Sequence, residues 1–172
     1  MKILIAGVGN LLRGDDGFGV EVGRRLLTGN DLPSGVKVLE AGISGISLVQ
    51  ELMQGYNACI IIDAIKRNGS PGTLYLIKPE VPDLDSVGPE QHRDFLADMH
   101  FTEPSKALIL AKALGVLPKK VLIIGCEPAI YDELGIGLSE PVGQAVARAV
   151  EEIAAVVKKL TGQTSEPSGE DA

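Results

Sequence analysis

The sequence predicts a three-layer α/β/α sandwich around a mostly parallel, twisted sheet of about five strands. Short apolar runs of strand length alternate along the chain with segments that have helical periodicity. The run ACIIIDAI is apolar on both faces, which is typical of a central parallel strand with helices above and below it. Because the alternation continues almost to the end of a chain of 172 residues, we expect a single domain over residues 1–160.

The first half of the chain contains three predicted strands and two predicted helices. The first strand is KILIAGV, and the helix after it has Phe18, Val22 and Leu26 on one face. The second strand is VKVLEA, and the helix SLVQELMQG that follows is expected to end at Gly55, because glycine closes many helices. The third strand is the apolar run that ends at Asp63.

The second half contains two more strands and two more helices. After a turn signal, TLYLIKP is predicted to be a strand at the sheet edge or antiparallel to its neighbour. The helix SKALILAKALG has Thr102 as a candidate N-cap and Pro104 in its first turn, and it precedes the last strand, KKVLIIGC. The segment PVGQAVARAVEEIAAVVKKL is predicted to form the closing helix.

Two segments depart from this alternation. Residues 79–99 contain several prolines and form a connection that is too long for an idle loop, so we expect them to be partly helical or to form a flap beside the site. Residues 161–172 are polar and acidic, and we expect them to be a disordered tail.

Composition excludes several classes of partner. A net charge of −7 argues against nonspecific affinity for nucleic acid or anionic lipid, because both require a surplus of Lys and Arg. No apolar run approaches the ~20 residues of a membrane span, and the chain begins with a strand instead of a charged leader. Cys59 and Cys126 are isolated on predicted core strands, which favours reduced thiols and a cytoplasmic protein.

Polar residues that follow the strands are the functional candidates, because ligands of such sheets bind beyond the carboxyl ends of the strands. These candidates are Asn10, Asp15, Asp16, Glu40, Asp63 and Glu127. Other chemistries fit less well. GVGNLL lacks the third glycine of a dinucleotide-binding loop, and no G-x-S-x-G elbow is present. A dyad of Cys126 and His100 is conceivable, but a thiol that ends an apolar strand is more often a core residue than a nucleophile.

The carboxylates give a stronger signal. Asp15 is interpreted as an N-terminal charge that caps the first helix. Asp63 ends an apolar strand, so its carboxylate needs either a hydrogen-bond donor or a metal ion. His92 is interpreted as solvated, whereas His100 precedes the Thr102 cap and is expected near Asp16 and Asp63. Two carboxylates and one imidazole would leave coordination positions open on Zn, Ni or Mn, as in a catalytic site.

The stretch ILIAGVGNLLRGDDGFGVEV resembles the amino-terminal signature of the [NiFe]-hydrogenase maturation endopeptidases, in which Gly-Asn and an acidic pair follow the first strand. The likeness continues through IIIDAI, SPGTLYLI, MHFTEPSKALILAKALGVLPKKVLIIGCEP and GIGLSEPV. It covers roughly residues 1–157. The resemblance implies the α/β fold already described and removal of a C-terminal extension from the hydrogenase large-subunit precursor after nickel insertion.

The resemblance also implies the site residues. The family's metal-contacting residues correspond to Asp16, Asp63 and His100, which would be both the metal ligands and the catalytic residues. The divalent metal would be nickel supplied by the precursor, and the isolated protein need not contain any. The ion would serve as a checkpoint, and whether it also polarises the peptide carbonyl or activates water is left open by the sequence.

The residues around these ligands have implied roles as well. Gly7, Gly9 and Asn10 allow a sharp turn, Asp15 fixes the start of the helix, and Gly17 keeps the approach to the metal open. Substrate binding is expected at Asn10, Glu40 and Gly42. In the stretch EAGISG, Glu40 replaces the Asp that the family usually has, and Ile43 replaces a Thr.

Two other functions remain open from the sequence. One is a noncatalytic metal or nickel chaperone that docks on the same precursor, and the other is a zinc peptidase or amidohydrolase of similar fold that acts on small substrates. Tight metal binding by the isolated protein would favour the zinc enzyme, whereas binding that strengthens with the precursor would favour the maturation protease.

Overall fold

A computed structural model describes residues 1–29, 32–86, 104–131 and 133–162. The strands of this part of the chain are β1 (Ile3–Val8), β2 (Val36–Gly42), β3 (Ala58–Ala64), β4 (Leu74–Ile77) and β5 (Lys120–Cys126). The α-helices are α1 (Phe18–Thr28), α2 (Gly45–Leu52), α3 (Pro104–Ala113) and α4 (Glu140–Thr161). Two 3-10 turns cover Gly14–Gly17 and Leu84–Ser86.

The five strands form one sheet in the order β2-β1-β3-β5-β4. All neighbours are parallel except β4, which is antiparallel to β5 and lies at the edge of the sheet. The most apolar strand, β3, lies in the middle between β1 and β5. The predicted mostly parallel sheet and its antiparallel edge strand are therefore confirmed.

Each face of the sheet is covered by helices, which completes the predicted sandwich. Alternate side chains of the strands pack on one face against α1 and α4, and the intervening ones pack on the other face against α2 and α3. This division follows from the period of two in strands and the amphipathic stripe of each helix. Cys59 and Cys126 belong to opposite faces, so the sheet itself separates the two thiols.

Local sequence signals explain where the helices begin and end. Ser44 is the N-cap of α2, and its hydroxyl accepts a hydrogen bond from the backbone N–H of Ser47. Gly55 adopts a left-handed conformation just beyond the end of that helix. Pro141 lies in the first turn of α4, and Gly162 closes the helix with a φ of 74°. The helix thus extends to Thr161, the first residue of the predicted tail.

Several predictions fall on parts of the chain that the structure does not describe. They are the Thr102 cap, both histidines, most of the connection over residues 79–99, and residues 163–172 of the tail. Among the described helices, none is long and apolar enough to cross a lipid bilayer.

Candidate active site

Helix α1 approaches the sheet at the carboxyl ends of its parallel strands, an edge that we call the carboxyl edge. A side chain at Gly19 would collide with the carbonyl oxygens of Val8 and Ile62, at the ends of β1 and β3. A side chain at Gly7 would collide with the carbonyl oxygen of Gly19. Only glycine permits this contact, which brings the 3-10 turn before α1 against the end of β3.

Asp16 lies in that 3-10 turn and is half-buried. Its Oδ2 accepts a hydrogen bond of 2.8 Å from the backbone N–H of Asn10. The side-chain oxygen of Asn10 in turn accepts from the N–H of Leu12, at 2.9 Å. These bonds hold the loop after β1 and orient the Asp16 carboxylate, whose other oxygen has no partner in the described part of the chain.

Asp63 lies near the end of β3, opposite Gly125 of β5, and is also half-buried. Its Oδ1 accepts a hydrogen bond of 2.9 Å from the N–H of Ala64. Because β1 and β3 are parallel neighbours, the loop that carries Asp16 and the end of β3 lie at the same carboxyl edge. The structure therefore brings two of the three predicted metal ligands to one edge of the sheet.

The third predicted ligand cannot be placed. His100 lies outside the described residues, as does His92. Within the described ranges, no group of three or more His, Cys, Asp or Glu side chains could hold a metal ion. The donor chemistry of Asp16 and Asp63 suits a divalent ion such as nickel or zinc when an imidazole completes the set. The assignment of all three residues as ligands stays a prediction.

The three predicted substrate-binding residues surround one cavity. Asn10, Glu40 and Gly42 line a space of about 280 Å³ between the loop after β1 and the end of β2, which Ile43 also lines. The N–H of Gly9 donates to the carbonyl of Gly42 at 3.0 Å and joins the two segments. Their proximity is observed, and their role in binding substrate stays a prediction.

Arg24 of α1 is a residue of this cavity that the sequence did not point to. Its Nε donates to Oε2 of Glu40 at 3.2 Å, and its Nη1 lies 3.4 Å from Oε1 of Glu21 on the same helix. Glu21 lies three residues before Arg24, a spacing that predicts an ion pair along a helix. The contact between Arg24 and Glu40, in contrast, depends on the fold. Arg24 therefore places a positive charge beside the carboxylate of Glu40.

Asp15 does not have the role that the sequence suggested. Its side chain is fully buried, and neither the 3-10 turn nor α1 has a side-chain cap. The carboxylate accepts hydrogen bonds from the N–H groups of Ala129, Ile130 and Ser139 and from the Ser139 hydroxyl, at 2.7–2.9 Å. The prediction that Asp15 caps α1 is wrong, because these donors lie in the segment before α4. Asp15 is structural at the site through that segment instead.

Glu127 follows β5 but is not available to a ligand. It is 3% exposed, and its carboxylate accepts from the N–H groups of Arg67 and Asn68 and from the hydroxyl of Tyr75. Burial alone would raise the pKa of Glu127, but the hydrogen bonds from Tyr75 and the backbone outweigh it and hold the pKa below its ordinary value. Its position at the strand end thus serves to bind the turn before β4.

Residues 133–138 form a second surface beside the 3-10 turn. The N–H of Gly14 donates to the carbonyl of Gly135, and the N–H of Gly135 donates to the carbonyl of Leu12. Leu134 and Ile136, on either side, are 88% and 89% exposed. This surface could not be predicted from sequence patterns, because apolar residues that alternate with glycine over so short a stretch match neither helical nor strand periodicity.

Comparison with known protein families identifies one match over most of the chain. A family model described as hydrogenase maturation protease matches residues 20–156. The hydrogenase expression/formation protein HupM of Azotobacter chroococcum mcd 1 is 36% identical over 142 residues, or 82% of this chain and 64% of HupM. The chain thus spans a little under two thirds of the length of that relative.

Solved structures show the same architecture. The hydrogenase maturating endopeptidase HybD from E. coli superposes with a TM-score of 0.74 at 30% identity, covering 93% of this chain and 94% of HybD. The hydrogenase 2 maturation peptidase of a Thaumarchaeota archaeon gives a TM-score of 0.65 at 34% identity, covering 91% of this chain and 98% of that one.

Proposed function

Since this chain belongs to the hydrogenase maturation protease family, we propose that it removes the C-terminal extension of a [NiFe]-hydrogenase large-subunit precursor after nickel insertion. The observation that carries this proposal is the position of Asp16 and Asp63 at one carboxyl edge. Two carboxylates at that edge suit the recognition of a metal held by the substrate.

The proposed site consists of Asp16, Asp63 and His100, which would contact nickel already bound in the precursor. Nickel held there supplies positive charge that can polarise a peptide carbonyl or a water molecule. Asp16 is oriented for this role by the Asn10 amide, and Asp63 by the amide that follows it. A carboxylate that keeps one oxygen for a proton can act as the general base in peptide hydrolysis.

Recognition of the precursor is proposed to involve Asn10, Glu40 and Gly42 around the small cavity. Glu40 has one more methylene than the Asp usual in the family, and it reaches the guanidinium of Arg24. The resulting pair sets the direction of the carboxylate at the cavity.

We propose that the reaction takes place in the cytoplasm. Both cysteines are free and buried, and burial raises the pKa of each thiol to about 12. Free thiols are typical of proteins in a reducing compartment.

The test is a processing assay with the purified chain and the large-subunit precursor from the same organism, prepared with and without nickel. The mass of the precursor's C-terminus is read before and after incubation. We expect loss of a short C-terminal peptide from the nickel-loaded precursor alone. Nickel-dependent binding without cleavage would contradict the protease and support a chaperone, and cleavage of both forms would contradict recognition of nickel.

A further inference from the structure

A groove of about 770 Å³ lies between α1 and α4 and is also lined by residues 136–138. Its apolar lining comes from Leu11, Ile136, Leu138 and Val146. Gly14 and Gly17, which flank Asp16 in the 3-10 turn, line the same groove. The groove therefore begins at the 3-10 turn that carries Asp16 and runs along α1 away from it.

The groove adjoins the substrate cavity beside Glu40. Leu11 and Arg24 line both spaces. A chain segment bound near Asp16 could thus pass from one space to the other without leaving the surface. Gly17 and Arg25 of the groove are separated by two helical turns, roughly 12 Å, a distance that about four residues of extended peptide span.

The charge of the groove differs from that of the protein. Its charged lining residues are Glu21, Arg24 and Arg25, which give a local charge of +1 in a chain of net charge −7. Arg24 is paired with Glu21 and Glu40. The guanidinium of exposed Arg25 has no ion-pair or hydrogen-bond partner within the described ranges, so its charge is available to a carboxylate.

The walls of the groove are held in place by the fold. Asp15 binds the segment on one side through Ala129, Ile130 and Ser139. The backbone bonds between Gly135 and residues 12 and 14 fix the end of the groove. A groove whose shape exists before binding loses little conformational entropy when a peptide enters.

We propose that this groove binds the C-terminal extension of the protein substrate, in the stretch that follows the cleaved bond. Apolar side chains of the extension contact Leu11, Leu138 and Val146, and a carboxylate of the extension pairs with Arg25. This inference rests on the proposed function, because the occupant is the peptide that the protease releases. It adds a leaving-group subsite to the nickel-recognition site.

Gly143 provides a sharp test of the groove. It lines the groove from the first turns of α4, and a Cβ built on it would meet no atom within 4 Å. The Cβ of Gly143→Leu therefore meets no clash, and we expect the larger side chain to occupy part of the groove. Gly143→Ala is the matched control, because it removes the same glycine from the helix and leaves the groove open. Both substitutions should preserve or raise Tm, since glycine is unfavourable within helices.

The experiment measures binding of a fluorescent synthetic peptide with the sequence of the precursor's extension to the full chain and its variants. We expect Gly143→Leu to weaken binding about tenfold or more and Gly143→Ala to change it less than about twofold. Arg25→Gln should weaken binding about tenfold, and Lys158→Gln, on an exposed turn of α4, should leave it unchanged. A peptide whose carboxylates are all replaced by amides should bind wild type and Arg25→Gln equally.

Equal binding of the extension peptide by wild type and Gly143→Leu would overturn the inference, as would failure of wild type to bind the peptide. Processing of the nickel-loaded precursor by wild type is measured separately and decides the proposed function. If wild type processes the precursor but Gly143→Leu does not weaken binding of the extension peptide, the proposed function stands and the role of the groove is refuted.

Discussion

The buried carboxylate of Asp15 accepts hydrogen bonds from both the backbone N–H and the hydroxyl of Ser139, at 2.7 and 2.9 Å. Ser139 is the N-cap residue of α4, whereas Asp15 lies in the turn that leads into α1. The two helices on one face of the sheet are therefore joined at their starts by a single side chain. Asp16, the next residue in the chain, lies at the carboxyl edge instead.

Asp15→Asn is expected to destabilise the protein severely. The amide keeps one acceptor oxygen, but its NH₂ group takes the place of the other oxygen and faces a backbone N–H, so at least one of the donors Ala129, Ile130 and Ser139 loses its acceptor. We expect the free energy of unfolding to fall by about 2–4 kcal/mol. In a domain of this size, Tm should fall by about 5–10 °C.

Asp16→Asn is the matched control for that measurement, because its carbonyl oxygen can still accept the Asn10 amide. We expect a change in Tm of less than about 3 °C. An Asp15→Asn variant as stable as Asp16→Asn would contradict the structural role assigned to Asp15.

Arg24→Gln is expected to impair substrate binding without affecting stability. The Arg24 and Glu40 side chains are 48% and 38% exposed, and pairs this exposed contribute less than about 1 kcal/mol. Loss of the pair should let the Glu40 carboxylate move. We expect KM for the precursor to rise about threefold to tenfold while kcat changes less than about twofold.

Lys37→Gln is the control for Arg24→Gln. It removes another ion pair of β2, between Lys37 and Glu51, away from the cavity. Its KM should match that of wild type. If both variants had the wild-type KM, the Arg24–Glu40 pair would have no part in recognition.

Glu127 should contribute to the acid sensitivity of the fold. Its pKa in the folded protein lies below the ordinary value of 4.5, so it stabilises the fold above the pKa of the unfolded chain. That stabilisation is lost as the pH falls through the folded-state pKa. We expect Glu127→Gln to have a lower Tm at pH 7 and a smaller decrease of Tm between pH 6 and pH 3.

Exposed Glu151 of α4 offers the comparison for this pH series. The Tm of Glu151→Gln should match that of wild type at every pH. If the Tm of Glu127→Gln and the Tm of wild type fell by the same amount between pH 6 and pH 3, the Glu127 carboxylate would not have the lowered pKa.

The sheet and its helices could be predicted because their signals are local. The apolar run that ends at Asp63 and the amphipathic stripe of α1 each follow from residues a few positions apart. Strand ends then placed Asp16 and Asp63 at one edge, since parallel strands share their direction. The position of His100 before the Thr102 cap favoured it over His92, and family resemblance implied the same residue, but both histidines lie outside the described residues.

Contacts between segments that are distant in the chain could not be predicted from the sequence. The donors to Asp15 lie at residues 129–139, more than a hundred positions away, so the carboxylate resembled a cap for its own helix. Glu127 likewise meets Arg67 and Tyr75 only after β4 turns back along β5. The groove depends on the spacing of α1 and α4, which no single stretch of sequence encodes.

We propose that Asp16, Asp63 and His100 together recognise nickel in the precursor. The most direct measurement compares Asp63→Asn, His100→Ala and His92→Ala with wild type in processing of the nickel-loaded precursor, with Tm as the control for folding. We expect no processing by Asp63→Asn or His100→Ala, nearly wild-type processing by His92→Ala, and folded proteins throughout. Processing at the wild-type rate by Asp63→Asn would contradict the proposal.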